Sequence, residues 1–322
     1  MMDTGKRQAW STYWSSGALH SCTSSFHGNY SGILADFWME VFQERPARRM
    51  LDLATGNGAV PKLALECIRT RPLEIVGVDL ADILPDWIND GQKDILHMHS
   101  GVHLETLPFS DGEFDLITSQ YGIEYAEWPQ AVNEAVRVCE AGGRLACVIH
   151  HENSVVVRVG EQENTNLSLL LADDGVLDAA SKVLPWLGDA RHATVPASNF
   201  PEKVQARLGY NTAMDKIAEV LVDNFVPDIL LQFRHEVHAL LSRVSRAEIG
   251  VDTAFNRLRQ WRDALEASKS RTTSMIESAR NADSILEFGH IVMRRYPGAR
   301  LDITELQQDE GVLGWGVKAL LQ

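Results

Sequence analysis

Bases are the scarce charge in this chain. Its 322 residues carry 30 Lys and Arg against 44 Asp and Glu, a formal net charge of -14. That balance argues against nucleic acid or an anionic membrane as partner, because both need a cationic face to neutralise phosphates. Cysteine is also sparse. Cys22, Cys67, Cys139 and Cys147 form no C-x-x-C pair and sit in apolar surroundings. Reduced thiols in a cytoplasmic protein are therefore expected, not a disulfide framework. The stretch MMDTGKRQAWSTYW has no apolar core of the signal-peptide kind, so no leader is expected. The most apolar runs, such as VLGWGVKALL with its Lys318, are too short to span a bilayer. There is no internal repeat and no low-complexity segment. What is abundant is apolar residue, 45% of the chain, enough for a full core in two domains or one large decorated domain.

The hydrophobic rhythm changes along the chain. In ILADFWMEVFQ, apolar residues at 33, 34, 37, 38, 41 and 42 have helical spacing. From Met50, short apolar runs alternate with helical segments. RMLDLAT, LEIVGVDL, HMHSGVH, FDLITSQ and GGRLACVIHH read as strands; GAVPKLALECI, ILPDWINDGQ and QAVNEAVRVC read as helices. Alternation of this kind predicts a doubly wound α/β fold with a mostly parallel sheet. After His151 the rhythm stops. AEVLVDNF, DILLQFRHEVHALLSRV and AFNRLRQWRDAL are amphipathic helical stretches. Strands return in ARLDITELQ and VLGWGVKALL, joined by an acidic turn with Gly311, which predicts an antiparallel hairpin. The expected organisation is an N-terminal helical lid over 1–45, an α/β core over 46–151, an all-helical insertion over 152–270, and a last helix with two strands over 271–322.

The stretch LDLATGNGAV carries the first chemistry. A strand ends, and Gly56 and Gly58 let the backbone approach a ligand closely at the carboxyl edge of the sheet. The helix that follows offers free N–H groups to negative charge. Asp79 closes the next strand, 21 residues after Gly58, where a carboxylate can take both hydroxyls of a ribose. A dinucleotide loop requires a third glycine, and that slot holds Pro61. Asp52 beside the loop would repel a pyrophosphate and attract a cationic tail. Adenosine joined to a positive group fits better than adenosine joined to phosphates.

At this point the chain resembles the class I S-adenosylmethionine-dependent methyltransferases, in their small-molecule, Rossmann-like branch. LDLATGNG is similar to the family's first motif, and Asp79 to its second-strand acid. LETLPFSDGEFDLITSQYGIEY resembles the third and fourth motifs, and EAVRVCEAGGRLACVI the helix, turn and fifth strand. LGWGVKALL resembles the final antiparallel strand. The match runs over roughly 46–151 and 295–322. The resemblance implies a seven-stranded sheet and S-adenosyl-L-methionine as cofactor, leaving S-adenosyl-L-homocysteine as product. It implies that Asp52, Ala54, Gly56 and Gly58 surround the methionine part, Asp79 binds the ribose and Leu80 packs on the adenine. His103 and Leu104 would flank the adenine edge, although the family usually has Asp in place of His103. Ser119 and Gln120 would lie beneath the sulfonium. Ala54 stands where the family has glycine, which is tolerable if its φ is negative.

A proton-bearing acceptor would also need a base. The candidates at the ends of the fourth and fifth strands are Tyr121, Glu124, His150 and His151, with His150 first because imidazole titrates near neutrality. Tyr13, Trp14, His20 and Tyr30 are placed to cover the cofactor, where aromatic faces attract a sulfonium. His97, His99 and His103, and separately His150, His151 and Glu152, lack a completing ligand at zinc spacing, so no metal is expected. The helical insertion either roofs a pocket for a small-molecule acceptor or supplies a homodimer interface. The expectation is methyl transfer to a small molecule. A protein or RNA methyltransferase and a catalytically silent cofactor-binding module are the alternatives.

Overall fold

A computed structural model describes residues 4–21, 28–68, 73–189, 200–309 and 311–322. Cys22 lies outside them. The chain divides into two compact units, one of residues 1–158 with 274–322, the other of residues 159–273.

The first unit is a seven-stranded sheet. Its strands are β1 (Arg49–Leu53), β2 (Glu74–Asp79), β3 (Leu96–Ser100), β4 (Phe114–Gln120), β5 (Cys139–Ile149), β6 (Arg300–Gln308) and β7 (Gly311–Leu320). They run in the order β3-β2-β1-β4-β5-β7-β6. The first five are mutually parallel, and β7 lies antiparallel between β5 and β6. The doubly wound sheet and its C-terminal antiparallel pair therefore have the topology expected from the alternating rhythm.

Successive strand residues point to opposite faces, and both faces are buried, as parallel sheets require. Leu51, Leu53, Val76, Val78 and Ile117 pack on one face against Ala131, Val132 and Ala135 of α4 (Trp128–Val138) and against Phe288 and Val292 of α10 (Ala282–Arg295). Met50, Ile75, Leu116 and Val148 pack on the other against Leu34, Trp38 and Val41 of α2 (Ile33–Glu44) and against Val60 and Ala64 of α3 (Ala59–Cys67). Asp52 shares the parity of Met50. It is buried at the carboxyl end of β1, where the apolar layer gives way to the loop. An N-terminal helix, α1 (Thr4–Trp14), precedes these elements.

One expectation fails. ILPDWINDGQ forms no helix between β2 and β3. Its first two amides, and that of Asp82 just before it, are taken by other parts of the chain. Asp82 N–H donates to Ser11 Oγ, Ile83 N–H to Ser100 Oγ and Leu84 N–H to Asn57 Oδ1. Pro85 has no N–H to give. The segment follows its neighbours, not its own periodicity.

The second unit is helical. Its elements are α5 (Val155–Leu171), α6 (Val176–Asp189), α7 (Phe200–Val220), α8 (Asp228–Ser245) and α9 (Val251–Ser278), the outer two of which extend into the first unit's range. Leu167, Leu177, Leu184, Ile217, Leu230, Val237 and Leu258 form its core. Asn166 is buried there with its needs met: its amide donates to the Val226 carbonyl and its oxygen accepts from Asn224. Among the described residues, no helix is long and apolar enough to cross a membrane.

Candidate active site

A cavity opens at the carboxyl ends of β1, β2 and β4. Asp52, Ala54, Asp79, Leu80, Gln120 and Tyr121 line it, as do His103 and Leu104. Trp10, Trp14, Tyr30 and Tyr125 supply aromatic faces.

Both carboxylates are buried. Thr118 Oγ1 donates to Asp52 Oδ1 over 2.6 Å. Burial nonetheless pushes the Asp52 carboxyl up to about 7. Asp79 accepts from Gly56 N–H (2.8 Å) and Ala81 N–H (2.8 Å). Burial outweighs those bonds and raises it to about 6. Among the described residues neither acid has a cationic side-chain partner. Arg7, which also borders the cavity, pairs instead with Asp82 at 3.2 Å.

The loop after β1 turns through three left-handed residues, Ala54 (φ 51°), Gly56 (φ 52°) and Gly58 (φ 83°). Ala54 therefore has the positive φ that its methyl disfavours, which corrects the condition under which it was expected to be tolerated. Gly56 needs its freedom twice over: a Cβ there would stand 2.6 Å from Cη2 of Trp14. Gly56 and Gly58 shape the loop without bordering the cavity, and Gly56 reaches it through its amide on Asp79. Asn57, between them, ties the site together. Its amide donates to the carbonyls of Trp14 (2.9 Å) and Ala18 (2.8 Å), and its oxygen accepts from Leu84 N–H. In the sequence Asn57 reads only as a turn residue of TGNG; its three side-chain bonds belong to the fold.

β4 ends in Ser119, Gln120 and Tyr121. Ser119 is buried and used by the backbone: its hydroxyl donates to the Leu53 carbonyl and accepts from Ile123 N–H, so it does not border the cavity. Gln120 Oε1 accepts from Trp38 Nε1 at 2.6 Å, which fixes the orientation of the amide. Its Nε2 is buried without a partner. Tyr121 has φ 50°, and its hydroxyl donates to the Leu313 carbonyl.

The remaining candidates separate. His150 and Glu124 meet over 2.7 Å, with Tyr121 stacked on the imidazole at 4.2 Å. His151 points elsewhere: Nδ1 accepts from Asn153 N–H, Nε2 faces Glu305 at 3.6 Å, and the ring lies on Trp315. The Tyr13 hydroxyl donates to the His20 carbonyl, while Trp10 and Trp14 face the cavity. The His103 ring is 52% exposed at the rim, 3.9 Å from Glu105.

A parallel sheet with this strand order, a glycine loop and an acid at the end of each of its first two strands narrows the family. Residues 51–147 match the family described as a methyltransferase domain. The chain carries a methyltransferase domain. Over 108 residues it is 35% identical to a demethylmenaquinone methyltransferase of Thermus thermophilus, covering 32% of this chain and 47% of that protein. Over 125 residues it is 33% identical to the ubiquinone/menaquinone biosynthesis C-methyltransferase UbiE of a Ruegeria species, covering 35% and 46%. A 2-phytyl-1,4-naphtoquinone methyltransferase of Synechocystis is 32% identical over 113 residues, covering 33% and 47%. The chain thus spans about half the length of the curated relatives it matches. The methyltransferase domain is shared, and the helical block from 159 to 273 lies beyond the family match.

Proposed function

We propose that this chain is an S-adenosylmethionine-dependent methyltransferase acting on a small molecule in an aromatic-lined pocket. The observation that carries the proposal is the pair Asp52 and Asp79, two buried carboxylates on one cavity that have no cationic side-chain partner among the described residues. Burying a carboxylate without a counter-charge is costly. A ligand that brings an ammonium or sulfonium, together with ribose hydroxyls, would offset both. The unpartnered Nε2 of Gln120 is a third buried group that such a ligand would satisfy.

In this reading Asp79 takes the ribose hydroxyls while Gly56 N–H keeps the carboxylate aimed. Leu80 and Leu104 pack on the adenine, and Asp52 draws the cationic end. The cofactor supplies an electrophilic methyl on sulfur. The protein supplies alignment and exclusion of water. Trp10, Trp14, Tyr121 and Tyr125 offer flat faces that suit an aromatic acceptor, and the relatives' names point to quinones. A 1,4-naphthoquinol is therefore the first acceptor to assay.

Calorimetry with S-adenosylhomocysteine tests the reading. Binding is expected in the wild type, and Asp79→Ala is expected to weaken it by more than about tenfold, the loss of one charge-assisted hydrogen-bond set. No binding, or equal binding by the variant, would overturn it.

A further inference from the structure

Gln120 closes β4, and its side chain meets Trp38, 82 residues earlier in the chain. The register explains the meeting. Thr118 lies opposite Asp52, and Gln120, two residues on, faces the same side of the sheet. That side is the one covered by α2, which carries Trp38. Trp38 is fully buried, with Phe37 against its ring edge-on at 5.1 Å and Phe42 stacked on it at 5.8 Å. The indole is held between them, and its N–H donates to Gln120 Oε1 at 2.6 Å.

An indole N–H only donates. The carboxamide opposite it must offer oxygen, so its nitrogen is the end left over. Turning the amide over would set N–H against N–H and leave two buried donors unpaired. Trp38 thereby makes a choice that a glutamine does not make for itself. Gln120 is 9% exposed, it lines the cavity, and Nε2 has no partner among the described residues. A buried donor pair is satisfied by a lone-pair atom and opposed by an ammonium or another N–H. Among oxygens, a carboxylate or carbonyl fits best, because it has no proton of its own to place in a buried site. The acids give the cavity a direction. Asp52 stands beside Thr118, so Gln120 lies about 7 Å further toward the carboxyl edge. Asp52 attracts positive charge and Gln120 Nε2 attracts a negative oxygen.

We propose that Gln120 is a specificity-determining residue of this cavity, that its Nε2 donates to a carboxylate or carbonyl oxygen of a bound ligand, and that Trp38 is the positioning residue that makes the contact donor-only. Such an oxygen has two sources here, the amino-acid carboxylate of the cofactor and a carbonyl on the methyl acceptor. Both belong to the methyltransferase reading above, on which this rests.

Binding to the full chain tests this in two arms. The first compares S-adenosylhomocysteine with decarboxylated S-adenosylhomocysteine. The second, on the chain saturated with S-adenosylhomocysteine, compares acetophenone with ethylbenzene, which lacks the carbonyl oxygen. Gln120→Glu keeps an oxygen for Trp38 and puts a carboxylate in place of the free donor. It is expected to weaken the oxygen-bearing ligand of one arm by about tenfold or more, and to spare its counterpart. A selective loss in the first arm assigns the oxygen to the cofactor, and in the second to the acceptor. Trp38→Phe frees the amide to turn, so the gap between that ligand and its counterpart is expected to narrow. A merely structural Trp38 would weaken both alike. The wild type gives a readout that needs no variant: the Gln120 side-chain N–H resonances are expected to move downfield with the oxygen-bearing ligand and not with its counterpart. Equal losses within a pair, or no loss and no shift in either arm, would overturn the proposal. Failure of the methyltransferase reading shows separately, as absence of S-adenosylhomocysteine binding to the wild type.

Discussion

A side chain on Gly122 would place its Cβ 2.6 Å from that of Ala54. Gly122 has φ -141°, so it needs no glycine for its backbone. It needs glycine for space, because Ala54 projects a methyl where this family's loop commonly has a hydrogen. The departure at 54 and the glycine at 122 are two halves of one contact. Gly122→Ala is expected to cost about 1–3 kcal/mol through overpacking. Ala54→Gly removes a left-handed alanine while loosening the unfolded chain, for a net gain of roughly 0–1 kcal/mol. The double variant is the decisive one. Urea denaturation should show Gly122→Ala largely rescued in the Ala54→Gly background, and strictly additive effects would disprove the coupling.

That contact marks the limit of what the sequence makes legible. Runs with a period and an end are readable locally, so β1, β2 and β4 could be found, and with them Asp52, the glycines and Asp79. Those groups come together because a parallel sheet aligns its carboxyl ends, a rule of topology. Pairings across long stretches of chain have no such rule. Trp38 on Gln120, Trp14 on Gly56 and Gly122 against Ala54 depend on packing that no local pattern encodes. The segment after Asp79 departs from its own pattern for a related reason: Pro85 and three amides bound elsewhere outweigh a weak helical period.

Asn57 is expected to latch α1 to the loop after β1. Its side chain holds Trp14, Ala18 and Leu84 at once, and it is buried. Asn57→Ala leaves two carbonyls and one amide without that partner, at a cost of about 1–3 kcal/mol. Hydrogen exchange should quicken in 4–18 and in 80–87 together while β4 and β5 stay protected. Faster exchange in one segment alone would mean that Asn57 serves only that segment.

Cys139 and Cys147 should behave as core residues, not reactive thiols. Both are free and buried, and burial raises the two thiols, Cys139 to about 12. The thiolate is the reactive form. Ellman's reagent should therefore label these two only as fast as the first unit unfolds, at a rate that follows denaturant. Rapid labelling of either in native buffer would contradict the burial.

The two cavity carboxylates make stability and binding run in opposite directions with pH. Asp52 and Asp79 have ordinary values of 3.8 and folded values of about 7 and about 6. Between those limits the folded chain holds more protons than the unfolded chain, so their contribution is fully present below pH 3.8 and is lost as pH rises through 6 and 7. Asp52→Asn removes the larger part. It should raise stability without ligand at pH 8 by about 1–3 kcal/mol, the scale of one buried uncompensated group, and change little at pH 4. A cationic ligand reverses the preference, because it favours the ionised carboxylates. S-adenosylmethionine should bind more tightly from pH 5.5 to about 8 and release protons on binding near pH 6.5, read as a dependence of calorimetric heat on buffer ionisation. In Asp52→Asn both the proton release and the pH dependence should shrink. Proton uptake on binding, or a ligand affinity that falls as pH rises, would show that these acids do not face the cation.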